Sequence, residues 1–188
     1  MFEAFVFNEL AITVRHWYEV GFEPNESEHG IRVELRRIKP HERRGSLAAP
    51  QIVELDEIIW RADLFDLVGD EPGSYRRAHH HTDFEGFEVL DRAWDDDLSA
   101  DPIGWTAAAL SDIDELAARA GVSLVDPGGE ASDVREHLPL IVEAMRRAAP
   151  TECRDPGHCL RETRDTRTLV QAMMVERQGS TTDPRLAA

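Results

Sequence analysis

Apolar and polar side chains alternate along much of the first half of the chain. Apolar residues recur at every second position in three segments, at Phe5 and Phe7, from Ile12 to Tyr18 and from Ile31 to Leu35. A period of two is typical of half-buried antiparallel strands. Residues 21–30 and 39–50, rich in Gly, Pro, Asn and Ser, lie between or after these segments. The pattern therefore predicts three strands joined by loops.

Further strands are predicted from residue 51 to residue 94. A pair at 51–55 and 58–68 is separated by Asp56-Glu57, which is a plausible tight turn. After the turn signal Glu71-Pro72-Gly73, residues 75–81 and 84–94 carry β-favouring aromatic side chains and Val. These segments extend the expected sheet.

The pattern changes to a helical period after Asp101. Asp101 is a good N-cap, Pro102 fits the first helical turn, and apolar residues recur at helical spacing until Gly121. A second helix is predicted from Ser132, with a kink or a fresh start at Pro139. Residues 160–178 indicate a weaker third helix.

These elements predict an α+β fold in one domain of 188 residues. Residues 1–100 form a β-rich core, a mostly antiparallel sheet or partial barrel. Residues 101–178 form a layer of two or three helices packed on the same core. Residues 179–188 are expected to form a flexible tail.

The net charge of −16 opposes binding to nucleic acid and to anionic membranes. The charge is uneven, because residues 31–50 hold six basic and two acidic side chains.

No apolar run is long enough to span a membrane, and the acidic N-terminus does not resemble a secretory signal, so we expect a cytoplasmic protein. Cys153 and Cys159 are expected to be free thiols. The sequence has no Gly-rich phosphate loop and no Gly-x-Ser-x-Gly motif, so we expect no nucleotide cofactor.

One spacing carries metal-binding chemistry. If residues 75–81 are extended, His79 and His81 point to the same face and His80 to the other, while Glu85 can return to the first face after the turn. Two imidazoles and a carboxylate can hold Fe, Mn, Zn or Ni and leave coordination positions open. Asp63 and Asp66, on the preceding predicted strand, are candidates for a further ligand or for acceptors of the imidazole N–H groups.

Residues 72–92 resemble the first motif of the cupin superfamily, in which Gly, His, His and Glu follow one another at set spacings. Gly73, His79, His81 and Glu85 match these positions. The resemblance implies a mononuclear divalent-metal site that acts on or binds a small polar molecule. Arg92 replaces the closing Gly of the motif, and Ala107 stands where the second motif has its His. His16 is therefore a candidate for the missing ligand.

Other interpretations of the same residues remain open. A run of three His beside Arg76 and Arg77 is also typical of a solvated surface turn. The chain can instead be a non-catalytic protein that binds a protein partner through its acidic surface or through the basic residues 31–44. A third interpretation is a metal-independent ribonuclease, in which Arg76 and Arg77 bind phosphate and a His is the general base. Arg36 and Arg37 would supply further phosphate contacts.

Overall fold

The computed structural model describes residues 2–19, 26–42, 44–46, 48–86 and 88–149, and within these ranges it confirms the α+β fold. Five antiparallel strands form one sheet, in which the spatial order follows the chain order. The strands are β1 (Phe2–Val6), β2 (Leu10–Glu19), β3 (Glu28–Ile38), β4 (Leu55–Leu67) and β5 (His79–His81). A separate small hairpin consists of β6 (Phe84–Glu85) and β7 (Glu88–Val89).

Four helices follow the strands, each beginning at or next to an aspartate. They are α1 (Asp96–Ala100), α2 (Pro102–Ser111), α3 (Ile113–Arg119) and α4 (Pro127–Ala148). The carboxylate of Asp101 accepts a hydrogen bond from the backbone N–H of Gly104, and Asp126 does the same for Gly129. Each of these two caps is followed by a proline, whose fixed φ suits the first helical turn.

The hydrophobic core lies between one face of the sheet and the helices. The core side chains of the central strands alternate in sequence, as the period of two requires. The sheet contributes Ile12, Val14, Ile31, Val33, Leu35, Ala62 and Leu64, and the helices contribute Leu98, Leu110, Ile113, Val134, Ile141 and Met145. Trp60 on β4 stacks on Trp105 of α2, with ring centroids 6.2 Å apart. Burial of this face fixes which side chains point to the opposite face.

Several predicted boundaries are wrong. Asp56 and Glu57 do not form a turn, because β4 runs through them and residues 51–54 are not a strand. The reason is pairing with β3: the backbone carbonyl of Asp56 accepts hydrogen bonds from Arg36, and Glu57 pairs with Arg37. The predicted strands at 75–81 and 84–94 contract to β5 and to the short strands of the β6–β7 hairpin.

The helices also differ from the prediction. The helix expected from Asp101 to Gly121 is divided at Asp112 into α2 and α3, and Leu110 and Ile113, on either side of the break, both lie in the core. The next helix begins at Pro127, five residues before Ser132, and continues through Pro139. No helix in the described ranges has the length and apolar character that crossing a membrane requires. The predicted helix over 160–178, the predicted tail, Cys153 and Cys159 lie outside these ranges.

Candidate metal centre

The face of the sheet opposite the helices carries two rows of polar side chains. Each row runs straight across the sheet, because the residues in it are register partners on neighbouring strands. One row consists of Thr13, Glu34, Arg61 and His81, and the other of Arg15, Arg32, Asp63 and His79. Most of these side chains are buried, so their charges must be compensated by one another.

Asp63 lies at the centre of this polar face and is fully buried. Its carboxylate accepts two hydrogen bonds from Arg32, at 2.6 and 2.9 Å, and its Oδ2 lies 3.0 Å from Nε of Arg61. Burial alone would raise the pKa of Asp63, but the guanidinium groups of Arg32 and Arg61 hold this pKa well below its usual range. The carboxylate is therefore ionised at neutral pH.

Arg32 is held in place by contacts above and beside its guanidinium group. Its central carbon lies 4.6 Å from the ring centroid of Trp17 and 5.4 Å from that of Phe65. Gly30 lies between these two aromatic residues in the next row, so no side chain fills the space between the rings. A Cβ atom at Gly30 would lie 2.1 Å from the backbone oxygen of Leu64, a distance that the sheet cannot accommodate without moving β4.

His79 and His81 both face Asp63 with their Nε2 atoms. The distance from Oδ2 of Asp63 is 3.6 Å to Nε2 of His79 and 3.2 Å to Nε2 of His81. The other ring nitrogen of each histidine contacts a backbone carbonyl: Nδ1 of His79 lies 2.7 Å from the oxygen of Arg77, and Nδ1 of His81 lies 2.5 Å from that of Asp91. We therefore assign the N–H of each neutral ring to Nδ1, which leaves the Nε2 lone pairs directed toward the carboxylate.

The electrostatic environment favours the neutral form of His79. Burial lowers the pKa of His79 from 6.5 to about 4. Its Nε2 is buried and has no hydrogen-bond partner within the described ranges. A buried nitrogen without a hydrogen-bond partner is uncommon in native structures, and a bound ion is one way to satisfy it.

The distances suit a metal ion coordinated by these three residues. Two ligand atoms about 2.1 Å from an ion lie roughly 3.4 Å apart at a tetrahedral angle. The two separations from the Asp63 oxygen fall on either side of that value, and one ligand atom from each residue lies within 4.8 Å of the others. Backbone acceptors on both Nδ1 atoms are the usual support for metal-binding histidines. The donor set thus fits a divalent ion.

Arg61 is the group that a metal ion would have to displace. Its Nη2 lies 2.9 Å from Nε2 of His81, which accepts a hydrogen bond from it. An imidazole nitrogen has one lone pair, so it cannot serve both this hydrogen bond and a metal ion. Metal binding therefore requires a small movement of the Arg61 side chain.

The structure brings together only some of the predicted site residues. His79 and His81 lie on the same face of β5, and Asp63 joins them, whereas Glu85 is exposed on β6 and lies outside this group. Asp66 accepts hydrogen bonds from the backbone of Gly73 and the hydroxyl of Ser74.

The remaining predicted residues lie elsewhere. His16 points to the helix side of the sheet, where its Nδ1 is 3.4 Å from the carbonyl oxygen of Ala148. His80 points to the same side as His16, with its ring centroid 4.9 Å from that of Trp105, as the alternation predicts. Arg76 is exposed and Arg77 forms a salt bridge of 2.6 Å with Glu28.

Arg32 and Arg61 belong to this site but were not predicted from the sequence. The sequence of β3 does contain a relevant pattern, because its charged and apolar residues alternate. The charged residues are Arg32, Glu34 and Arg36, and the apolar ones are Ile31, Val33 and Leu35. That alternation places charged residues on a single face. What could not be foreseen is that this polar face would itself be buried.

Comparison of the chain with protein-family models, curated proteins and solved structures gives no match.

Proposed function

We propose that this protein binds one divalent metal ion through His79, His81 and Asp63, and that the ion's open coordination positions bind a small polar molecule. The observation that carries the proposal is the convergence of two Nε2 lone pairs on the Asp63 carboxylate. Both imidazoles are fixed in the required tautomer by backbone carbonyls. Salt bridges alone do not account for the unpartnered Nε2 of His79.

The donor set suggests which ions to test. Two imidazoles and one carboxylate suit Fe(II), Mn(II), Zn(II) or Ni(II), and three protein ligands leave room for water or another molecule. A bound ion would supply Lewis-acid chemistry at those open positions. The protein's own contribution is to keep the ligands deprotonated: burial holds His79 neutral, and the neighbouring guanidinium groups hold Asp63 ionised.

The likeness of residues 72–92 to the first cupin motif supports the same proposal through its two histidines, His79 and His81. In the ligand set proposed here, Asp63 provides the carboxylate in place of Glu85. The proposal therefore depends on the geometry of β4 and β5 and takes only the metal chemistry from the resemblance.

The test is metal binding by the full chain after treatment with a chelator. Titration with Zn²⁺, Mn²⁺ or Ni²⁺, followed by calorimetry and elemental analysis, should give about one tightly bound ion per chain for at least one of these metals. His79→Ala and His81→Ala should each abolish this binding. His80→Ala is the matched control, because its ring lies on the opposite face of the same strand.

Two results would contradict the proposal. One is a folded protein that binds none of the metals, with Fe²⁺ tested under anaerobic conditions. The other is an equal loss of metal in His79→Ala and His80→Ala, which would place the ion elsewhere. Circular dichroism of each variant separates loss of the site from loss of the fold.

A further inference from the structure

The position of Arg61 indicates what kind of molecule the proposed metal ion would take, so this inference rests on the proposed function. Arg61 is 8% exposed, and its Nη2 donates to Nε2 of His81. When a metal ion takes that lone pair, the Nη2 donor loses its acceptor. The Nε of Arg61 also lacks a well-aligned hydrogen bond within the described ranges, although Asp63 lies close to it. The metal-bound site therefore holds a buried guanidinium with unsatisfied donors.

The charges around the site lead to the same conclusion. The residues whose ion pairs connect to the centre are four arginines, at 32, 61, 77 and 92, and four carboxylates, at 19, 28, 63 and 91. These charges balance when both histidines are neutral. A divalent ion would add two positive charges in a buried region, and an anionic ligand is the way to compensate them.

Cationic groups also lie at the exposed edge of the site. Trp94 is 51% exposed, and its ring centroid lies 5.1 Å from that of His79, which places it at the outer edge of the centre. The guanidinium carbons of Arg77 and Arg92 lie 5.0 and 5.9 Å from the Trp94 ring centroid. Both arginine side chains are more than a third exposed, at 38% and 35%. An anion approaching Trp94 would meet both of them.

We infer that the metal ion's open positions bind a small anion, a carboxylate or a phosphate group. Arg61 contacts the anion from inside the site, with the donor that metal binding releases. Arg77 and Arg92 attract the anion at the exposed edge beside Trp94. Arg61 is thus a binding residue for a small anion as well as a structural partner of Asp63.

The experiment measures anion binding to the metal-loaded full chain by calorimetry in a buffer that does not coordinate metal. The probes are acetate, inorganic phosphate and acetamide, which is the neutral analogue of acetate. At least one anion should bind about tenfold more tightly than acetamide, and binding should weaken by about the same factor when the metal is removed. The tighter of the two anions identifies the group that the site prefers.

Variants of the arginines test their assigned roles. Arg61→Gln should weaken anion binding roughly tenfold and leave one metal ion per chain, since it removes a charged donor but no metal ligand. Arg92→Gln, beside Trp94, should weaken it about twofold to fivefold without affecting folding. Arg146→Gln is the control, because Arg146 pairs with Glu143 on α4, on the other face of the sheet, and should change nothing.

The outcomes separate this inference from the proposed function. Stoichiometric metal binding with equal affinity for acetate and acetamide overturns the inference and leaves the metal site standing. Anion binding that is as tight without metal also overturns it, because the arginines alone would then be sufficient. If Arg61→Gln fails to fold, the inference still fails when Arg92→Gln binds anions as tightly as the unaltered protein. Absence of metal binding removes both proposals.

Discussion

Arg32 and Asp63 form a buried bidentate ion pair, with Nε to Oδ1 at 2.6 Å and Nη2 to Oδ2 at 2.9 Å. The pair joins neighbouring strands at a register position, β3 to β4, so the backbone itself brings the two side chains together. Both side chains are almost completely withdrawn from water. Such a pair is costly to break, because the remaining partner becomes a buried charge.

Replacing Arg32 with Met should therefore destabilise the protein by about 3 kcal/mol or more. Asp63 would keep only the poorly aligned contact with Arg61. Urea unfolding followed by tryptophan fluorescence measures the change. The double variant Arg32→Met with Asp63→Leu should recover part of this loss, since it removes both charges of the pair, while Arg61 loses its contact with the Asp63 carboxylate. A double variant no more stable than Arg32→Met would show that the charge left on Asp63 is not the main source of the loss.

A second prediction concerns pH and two histidines on the helix side of the sheet. The rings of His16 and His29 lie 5.7 Å apart, and burial lowers the pKa of both. The unfolded chain, with an ordinary pKa near 6.5, takes up protons first as the pH falls. The stability contributed by the neutral rings is complete above about pH 6.5 and is lost progressively below it.

Thermal melts between pH 7 and pH 4.5, with a chelator present, measure this dependence. The melting temperature should fall as the pH is lowered, and it should fall less in His29→Gln. His79 and His80 have lowered pKa values too, so the variant should retain part of the effect. Identical pH profiles for the two proteins would contradict a contribution from His29.

A third prediction concerns the docking of α2 and α3 on the sheet. Leu110 and Ile113 are fully buried, one on each side of the break at Asp112. Leu110→Ala and Ile113→Ala should each lower the free energy of unfolding by about 2–4 kcal/mol. Val125→Ala is the control, because Val125 is 90% exposed and its truncation should change little. Unchanged unfolding curves for either core variant would show that its helix does not contribute to the core.

A fourth prediction concerns the basic residues that favoured an RNA-binding interpretation. Arg36 donates to Glu34 and to the carbonyl oxygen of Asp56, and Arg37 pairs with Glu57. These contacts, with the net charge of −16, predict affinity for single-stranded RNA no tighter than about 10⁻⁴ M at physiological salt. Fluorescence anisotropy with a labelled oligonucleotide measures it. Micromolar binding that is lost in the Arg36→Ala, Arg37→Ala double variant would restore the nucleic-acid interpretation.

The local pattern of apolar and polar residues was sufficient to predict the central strands, and the capping residues were sufficient to predict the start of α2. The period of two predicted β2 and β3, and Asp101-Pro102 predicted the start of α2. The pattern failed at Asp56-Glu57, because pairing with Arg36 and Arg37 on another strand outweighs the local turn preference of these two residues. Such pairing depends on long-range register, which a local pattern does not contain.

The same limit explains what could be predicted of the site. Alternation along one strand correctly separates His79 and His81 from His80. It does not choose between Asp63 and Glu85 as the neighbouring carboxylate, since that choice depends on how β5 aligns with β4. The register places Asp63 directly opposite His79. The site residues that were not predicted thus lie opposite one another on neighbouring strands, and not along a single strand.

The two polar rows have a consequence for how the strands find their alignment during folding. A shift of β4 against β3 by one residue would turn Asp63 toward the helices and Leu64 toward the polar face. A shift by two residues keeps the faces but places Arg32 opposite Arg61 in one direction, and Glu34 opposite Asp63 in the other. Like charges directly opposite one another destabilise a strand pair, so both near alternatives are penalised. The charged residues of the candidate site therefore also favour a single register of β4 against β3.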